Sequence, residues 1–194
     1  MKSNTLAMTM AVSVFLLRAG GCGPSAANSS SNTPDNPPGG ESGESGDHAA
    51  EGNLADLALE KTDGSGVVHL RSLARGKVMI IAFWATWCDS CKPELVGLKG
   101  LYEEYGNKGI EVVAISVDTP DTAGEVQSEV HRIGIPFTSL IDTESQASSS
   151  LNQTGTAPFT VIVDKSMNVI FSHEGFLAGD LDKFKKIAVE ALGK

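Results

Sequence analysis

The feature that most constrains the fold is an apolar run that leads directly to two cysteines. Residues 78–84 are almost all strongly apolar, which is typical of a strand buried on both faces. Beyond the cysteines, Leu95 and Leu98 begin a series of apolar residues at helical spacing, so a helix follows. Cys88 and Cys91 therefore lie at the start of a helix, where unpaired N–H groups and the positive end of the helix dipole favour an anion.

This position favours redox chemistry at the cysteine pair. An anion-stabilising site favours the thiolate, which is the reactive form of Cys88. Cys91 follows one helical turn later, close enough to attack a mixed disulfide formed at Cys88. The two residues are therefore predicted to alternate between a dithiol and a disulfide.

Three other uses of the pair are less well supported by the residues around it. A purely structural disulfide across so short a loop would remove little entropy from the unfolded chain. A zinc site would need four ligands, and His69, His131 and His173 show no ligand spacing, so no metal site is expected. A peroxidase of the peroxiredoxin type would need a proline seven residues before its reactive cysteine, and neither cysteine has one.

The run from Phe83 to Cys91 reads Phe-Trp-Ala-Thr-Trp-Cys-Asp-Ser-Cys. It resembles the active site of thioredoxin-fold proteins, and in particular that of the TlpA/ResA-like branch of extracytoplasmic thiol–disulfide oxidoreductases. Glu94 stands where that branch often has a glutamate, and Ala82 stands where cytoplasmic thioredoxins have a buried aspartate. The resemblance covers residues 54–194, and the expected chemistry uses the two cysteines and no cofactor.

The resemblance gives Glu94 a catalytic role beside the cysteines. It lies three residues after Cys91, on the same face of the predicted helix, and could take the proton of Cys91 through water. A carboxylate held in a partly buried site would have a raised pKa suited to that task. The alternative is a solvated helix glutamate, although no Lys or Arg stands three or four residues away to pair with it.

Trp87, Ala157 and Pro158 are the predicted substrate-binding residues. Trp87 directly precedes Cys88 and would offer an apolar surface to partner proteins. The resemblance implies a cis peptide bond before Pro158, packed against the cysteines, which leaves the backbone of Ala157 free to pair with a substrate strand. An ordinary trans proline that opens an edge strand is the alternative.

Strand-like and helix-like segments alternate along the rest of the chain. Strands are predicted at 54–60, 67–70, 78–84, 110–117, 136–141, 159–163 and 169–172, and helices at 88–105, 122–133, 145–151 and from a cap at Asp180 onward. Turn residues at 63–66 join the first two strands as a hairpin. This order predicts an α/β fold of thioredoxin-like type, with a central mixed β-sheet flanked by helices and an N-terminal β-hairpin extension.

The first 22 residues resemble the export signal of a bacterial lipoprotein. Lys2 precedes an apolar stretch of about a dozen residues, which is too short to span a bilayer. Residues 1–21 are therefore predicted to be a signal peptide of the lipoprotein type, with Cys22 as the lipidated residue. Plain cleavage and an uncleaved anchor are the alternatives. Lipidation would also explain the odd number of cysteines, because it leaves Cys88 and Cys91 as the thiols.

Residues 22–53 are rich in Gly, Ser, Asn, Pro and acidic residues and contain almost no apolar ones. Such a segment cannot bury enough surface to offset the entropy of ordering it, so we expect a flexible acidic tether between the lipid and a domain at 54–194. The net charge is −9 and no cluster of Lys or Arg is present, which argues against nucleic acid as a partner.

These features predict a membrane-tethered thiol–disulfide oxidoreductase that faces the periplasm of a bacterial cell envelope, with inner and outer membrane both left open. Its partners would be disulfide-containing client proteins, of which the family resemblance suggests apocytochrome c, and a membrane thiol donor that regenerates the dithiol. A disulfide oxidant or isomerase is the alternative within this class. A copper- or partner-binding lipoprotein is the alternative outside it, because two thiolates are a soft site for Cu(I). A monomer is expected.

Asp89 follows Cys88 directly and bears on the redox potential. A carboxylate beside Cys88 opposes a second negative charge there, which makes the disulfide harder to reduce. We therefore expect a potential nearer to about −270 mV, as in thioredoxin, than to about −120 mV, as in DsbA.

Overall fold

The computed structural model of the protein describes residues 46–48 and 52–194. The predicted signal peptide at 1–21, the lipidation site Cys22 and most of the predicted tether lie outside these residues. In the part of the chain that is described, no helix is both long enough and apolar enough to cross a membrane.

The elements alternate between strands and helices, as the sequence pattern predicts. The strands are β1 (Gly46–His48), β2 (Gly52–Asn53), β3 (Ala58–Lys61), β4 (Val67–His69), β5 (Val78–Trp84), β6 (Ile110–Ser116), β7 (Thr138–Ile141), β8 (Phe159–Val163) and β9 (Asn168–Glu174). The helices are α1 (Leu70–Leu73), α2 (Cys91–Tyr105), α3 (Ala123–Ile133), α4 (Gln146–Leu151) and α5 (Asp180–Leu192), with a short 3-10 turn at Gly106–Lys108.

The strand β5 forms the centre of a mixed sheet. It pairs in parallel with β6 and antiparallel with β8, and all residues of β5 and β6 are buried. The order across the sheet is β1-β9-β8-β5-β6-β7-β3-β4, and β2 also pairs with β9. Burial on both faces explains why β5 is a continuous apolar run and why β6 is apolar except at Glu111 and Ser116, rather than alternating. This sheet, flanked by helices, confirms the predicted thioredoxin-like α/β fold.

Apolar side chains cover both faces of the sheet. Successive residues of a strand point to opposite faces, so Ile80 joins one core and Ile81 the other. The first core includes Leu95 of α2 and Phe184 of α5, together with Cys88 and Cys91. The second core includes Leu70 of α1. The candidate site therefore lies on the face that α2 and α5 cover.

The predicted N-terminal hairpin is present, with β3 and β4 antiparallel and attached through β3 to β7. Its first strand is shorter than predicted and begins at Ala58 rather than at Leu54. The reason is that the backbone N–H of Leu54 donates to the carbonyl of Met167 at 2.6 Å, which holds this end of the segment away from the hairpin.

The strands β1 and β2 lie inside the segment 22–53 that was predicted to be a tether. Both pair antiparallel with β9, β1 near the end of that strand and β2 near its start. The sheet therefore begins before the boundary predicted at residue 54. A truncation at that boundary would remove two strands from β9.

Candidate active site

The end of β5 and the start of α2 position the cysteine pair. Cys88 and Cys91 are joined by a disulfide in this structure. Cys88 is 4% exposed and Cys91 is fully buried, so the sulfur of Cys88 is the one nearer to solvent. Only Cys88 can therefore be reached by a substrate without opening the fold.

The helix predicted from Cys88 begins instead at Cys91. The backbone N–H of Cys88 donates to the carbonyl of Ala85 at 3.1 Å, which places Cys88 in the turn before the helix. As a result the N–H of Cys91, the first residue of α2, points at the sulfur of Cys88 at a distance of 3.2 Å. A helix N-terminus in this orientation stabilises a thiolate on Cys88.

Asp89 is not an isolated charge beside Cys88. Its side chain is 95% exposed and accepts a hydrogen bond from Lys92 at 2.8 Å. This hydrogen bond and the charge of Lys92 lower the pKa of Asp89. The Lys92 ammonium also lies 3.9 Å from Glu129 of α3. Because a cation compensates the carboxylate, the argument that Asp89 by itself sets a low redox potential is weakened.

Glu94 is fully buried, on the same face of α2 as Cys91. The hydroxyl of Thr160, on β8, donates a hydrogen bond to its Oε1. Its Oε2 is buried and has no hydrogen-bond partner among the described residues. Burial raises the pKa of Glu94 to about 8, the hydrogen bond from Thr160 opposes this rise, and the charge of Asp180 adds to it. This burial excludes the alternative of a solvated surface glutamate.

The peptide bond between Ala157 and Pro158 is cis, as predicted. Ala157 packs against the same core as the two cysteines. The loop before it is held by buried Asn152, whose side-chain amide donates to the carbonyl of Thr156 at 2.7 Å. The carbonyl of Pro158 accepts a hydrogen bond from Gly175 at 2.9 Å.

Trp87 is 62% exposed, although it follows the fully buried Trp84 and Ala85. It borders a groove of about 480 Å³ between the active-site turn and α3. The groove is lined by Thr86, Trp87, Thr122, Gly124, Glu125, Ser128, Glu129 and Arg132. A large aromatic side chain exposed beside a reactive cysteine is a feature of a surface that contacts other proteins.

A buried carboxylate holds the turn that carries Trp87 and Cys88. Asp118, just after β6, accepts hydrogen bonds from the backbone N–H of Thr86 at 3.0 Å and from its hydroxyl at 2.5 Å. It also accepts one from the hydroxyl of Ser116 at 2.7 Å. The turn before Cys88 is therefore tied to the end of the neighbouring strand.

Sequence reasoning missed Thr160, Asn152 and Asp118. Each of them contacts the site only through the pairing of distant strands and loops, so no local spacing marks it. The one available signal was position, because Thr160 stands two residues after Pro158 and Asp118 directly follows a buried strand. Among the described residues, no cluster of three or more His, Cys, Asp or Glu side chains could hold a metal ion.

Comparison with known proteins identifies the family. A profile of the AhpC/TSA family matches residues 48–172, which is most of the described chain. The protein belongs to the AhpC/TSA family and has its thioredoxin-like domain.

Several relatives are named thiol-disulfide oxidoreductase ResA. The protein from Geobacillus kaustophilus is 35% identical over 108 residues, which cover 56% of this chain and 60% of the relative. The protein from Bacillus subtilis is 33% identical over 102 residues, which cover 50% of this chain and 52% of the relative. The matched segments thus span between about half and three fifths of the length of these relatives.

Solved structures agree on the fold. A structure from Chlorobium tepidum, reported under the name thiol:disulfide interchange protein DsbE, superposes with a TM-score of 0.67 at 26% identity. It covers 74% of this chain, and the match spans 98% of that structure. The predicted resemblance to thioredoxin-fold disulfide oxidoreductases is confirmed.

Proposed function

We propose that this protein is a thiol–disulfide oxidoreductase that reduces disulfides of exported client proteins. The observation that carries the proposal is the arrangement of the cysteine pair at the start of α2. The sulfur of Cys88, the less buried of the two, accepts a hydrogen bond from the N–H of Cys91, and the buried carboxyl of Glu94 lies one helical turn beyond Cys91. The names of the ResA relatives support the same chemistry.

The reaction begins from the reduced pair. The Cys88 thiolate attacks a client disulfide, one client sulfur leaves as a thiolate, and a mixed disulfide forms between Cys88 and the other client sulfur. Cys91 then loses its proton and attacks the Cys88 sulfur. The second client sulfur leaves, and the Cys88–Cys91 disulfide forms. Two electrons pass to the client, and the two client thiolates take up two protons, one released by Cys91 and one from solvent, which received the proton that Cys88 lost when its thiolate formed.

Glu94 supplies the proton acceptor for the second step. Cys91 is fully buried, so its thiol cannot pass its proton directly to bulk water. Glu94 is one helical turn away, and with a pKa of about 8 its ionised form, which is the minor form at neutral pH and grows as the pH rises toward 8, can accept the proton of the thiol. The unpartnered Oε2 is the atom that would accept it, through a water molecule.

We propose that Trp87, Ala157 and Pro158 form the client-binding surface around Cys88. Trp87 offers exposed apolar surface beside a groove, and Ala157 packs against the core that contains the cysteines. The client backbone would pair with Ala157 as an added strand.

The cellular setting belongs to the same proposal. Residues 1–21 would direct export, Cys22 would carry lipid, and the acidic segment after it would place the domain near a bacterial membrane on its periplasmic side. A membrane thiol donor would return the disulfide to the dithiol. Apocytochrome c, with its paired haem-binding cysteines, is the client class that the family resemblance suggests.

The test is trapping of a mixed disulfide by the full-length chain. Cys91→Ser should form a covalent complex with reduced-and-reoxidised apocytochrome c or insulin, because the resolving thiol is absent. Cys88→Ser should form none, and Ser90→Ala is the control that leaves both thiols in place. The wild-type protein should turn over insulin disulfides with dithiothreitol as donor. Failure of Cys91→Ser to trap either client would contradict the proposal.

The purified full-length protein also distinguishes the proposed reductase from an oxidant, a copper carrier and a peroxidase. An oxidant would equilibrate with glutathione at a potential near about −120 mV, whereas a reductase would lie nearer to about −270 mV. A copper carrier would protect both thiols against alkylation when one equivalent of Cu(I) is added, without turning over insulin. Consumption of hydrogen peroxide at rates comparable with disulfide reduction would favour a peroxidase instead.

A further inference from the structure

Two ionisable side chains lie on the buried side of the disulfide, beyond Glu94. His173, on β9, is 1% exposed, and its Nε2 lies 3.1 Å from Oδ2 of Asp180. The Asp180 side chain is 13% exposed. Asp180 was predicted to be the cap of α5, but it is the first residue of the helix and Gly179 precedes it as a cap without a side-chain hydrogen bond. Its carboxylate instead accepts the backbone N–H of Leu177 and faces His173.

The sheet register brings this pair next to Glu94. Thr160, which donates to Glu94, is aligned with His173 on the neighbouring strand β9. Directly opposed residues of antiparallel strands share a face, with Cβ atoms about 4.5–5.5 Å apart. Thr160 therefore contacts Glu94 while its cross-strand neighbour, His173, contacts Asp180.

The helices α2 and α5 approach each other closely next to Glu94 and Asp180. Gly97 is one turn after Glu94, and a Cβ added there would lie 2.0 Å from Cδ1 of Leu181. The side chain of Leu181 therefore occupies the space that a side chain at position 97 would need, and the start of α5 packs against α2 here. Asp180, the residue before Leu181, is near enough to Glu94 for its charge to raise the pKa of Glu94.

Among residues 46–48 and 52–194, the ionisable side chains placed around this cluster are Glu94 on α2, Asp180 and Lys183 on α5, and His173 on β9. Strand β8 contributes the neutral Thr160, and β5 contributes Ala82, which is in register with Thr160. The ammonium of Lys183 lies 5.2 Å from the centre of the Phe171 ring.

Aromatic rings surround the imidazole. The ring of Phe171 stacks on His173 at 6.0 Å, and Phe184 meets it edge-on at 5.4 Å. Water is thus excluded from the side of the pair that faces the core. A charge in such surroundings is screened less than at the surface.

We propose that His173 and Asp180 are positioning residues that together set the pH at which Glu94 exchanges its proton. The Asp180 carboxylate opposes a negative charge on Glu94. The imidazole of His173 lies 3.1 Å from that carboxylate and offsets its charge when it is protonated. The proposal rests on the role of Glu94 in the proposed function and adds the groups that regulate it.

The two residues should act in opposite directions. Asp180→Asn removes a negative charge and keeps an oxygen to accept the Leu177 N–H, so Glu94 should lose its proton at a lower pH. His173→Gln puts beside Asp180 an amide that cannot take up a proton as an imidazole can, so Asp180 should repel Glu94 more strongly and Glu94 should lose its proton at a higher pH. Each shift should be on the order of one pH unit.

The experiment is a titration of the oxidised, full-length protein by carbon-13 NMR of its side-chain carboxyls. In the oxidised form neither active-site thiol titrates, so the Glu94 signal, identified by its loss in Glu94→Gln, reports on Glu94 itself. Asp182→Asn is the matched control, because Asp182 is exposed in the same first turn of α5 and carries the same charge. Near-ultraviolet circular dichroism checks that each variant keeps its fold.

Opposite shifts in Asp180→Asn and His173→Gln, with no shift in Asp182→Asn, are the expected result. A shift in the same direction in both variants, as a purely structural role would produce, overturns the proposal. The proposal is also overturned if the titration midpoint of Glu94 in either variant equals that of the wild type. If the opposite shifts appear but Cys91→Ser traps no client, the coupling stands and the proposed function fails. If Cys91→Ser traps client and the shifts are missing, only the coupling fails.

In the reduced protein, the pH dependence of insulin reduction should move in the same directions. A variant that lowered the rate equally at every pH would show loss of structure rather than a change in the protonation of Glu94. The pH profile therefore separates a positioning role from simple destabilisation.

Discussion

The disulfide has an outer side and an inner side, and the two handle charge in different ways. On the outer side, Asp89 is exposed and paired with Lys92, and its pKa is lowered. On the inner side, Glu94 is fully buried with a neutral donor, Thr160, and its pKa is raised to about 8. Both carboxylates lie within three residues of a cysteine, yet burial gives them opposite protonation behaviour near neutral pH.

This difference teaches which side controls the chemistry of the pair. An exposed ion pair is screened by water and salt and contributes little. A buried carboxyl without a cation changes its protonation state instead, and so becomes able to store and release a proton. We therefore expect the inner side to govern proton movement, as the proposed function requires, and the outer side to contact partners through Trp87.

The largest expected effect comes from removing the inner carboxyl. The pKa of Glu94 is raised from 4.5 in its ordinary state to about 8 in the fold, so the native protein binds this proton more tightly than the unfolded chain does. The resulting stabilisation is fully present below about pH 4.5 and is lost as the pH rises through about 8. Its upper limit is about 5 kcal/mol.

Glu94→Gln should therefore remove this pH dependence from the oxidised protein. Urea unfolding at about pH 5 and about pH 9 should show the wild type losing several kcal/mol more than the variant over that interval. Glu103→Gln, at an exposed position of the same helix, is the control and should follow the wild type. Parallel pH profiles for wild type and Glu94→Gln would mean that Glu94 is not protonated in the fold.

An intermediate effect on stability and activity is expected at Asp118, which holds the turn before Cys88. Asp118→Ala leaves the two donors of Thr86 and the hydroxyl of Ser116 without their buried acceptor, at a cost of about 1–3 kcal/mol of unfolding free energy. Because Thr86 belongs to the turn before Cys88, the rate of insulin reduction should fall as well. Asp121→Ala, at an exposed position in the following loop, should change neither quantity. Equal stability of the two variants would show that the Asp118 network does not hold the turn.

The same contrast explains what could be predicted from the sequence. The cysteine pair, the strand before it and the helix after it follow from residues that are neighbours in the chain, so pattern and spacing were sufficient. Glu94 was singled out mainly through the family resemblance, and its position one turn from Cys91 agreed with that role. The helix start was placed three residues early because the turn at Ala85–Cys88 holds Cys88 outside the helix.

The remainder of the inner side could not be predicted because it is assembled from distant segments. Thr160 and His173 become neighbours only through the register of β8 and β9, and Asp180 joins them only through the packing of α5 on α2. His173 was read as an unrelated histidine for this reason. The strands β1 and β2 were missed because polar, Gly-rich residues give no strand pattern, and their order comes from pairing with β9.

The smallest effect is expected on the outer side of the disulfide, in its redox equilibrium. The direction of that effect is informative even though its size is small. Asp89→Asn leaves Lys92 unopposed near Cys88 and should favour the thiolate, which shifts the equilibrium with glutathione toward the reduced protein. Lys92→Gln should shift it the opposite way. Because the pair is exposed, each change in the equilibrium constant should be less than about threefold and should fade at high salt. The pH dependence that Glu94 confers should persist at the same salt concentration, because burial protects that group from screening. A large, salt-resistant effect of Asp89→Asn would instead mean that the outer charge controls the potential, and the distinction between the two sides would not hold.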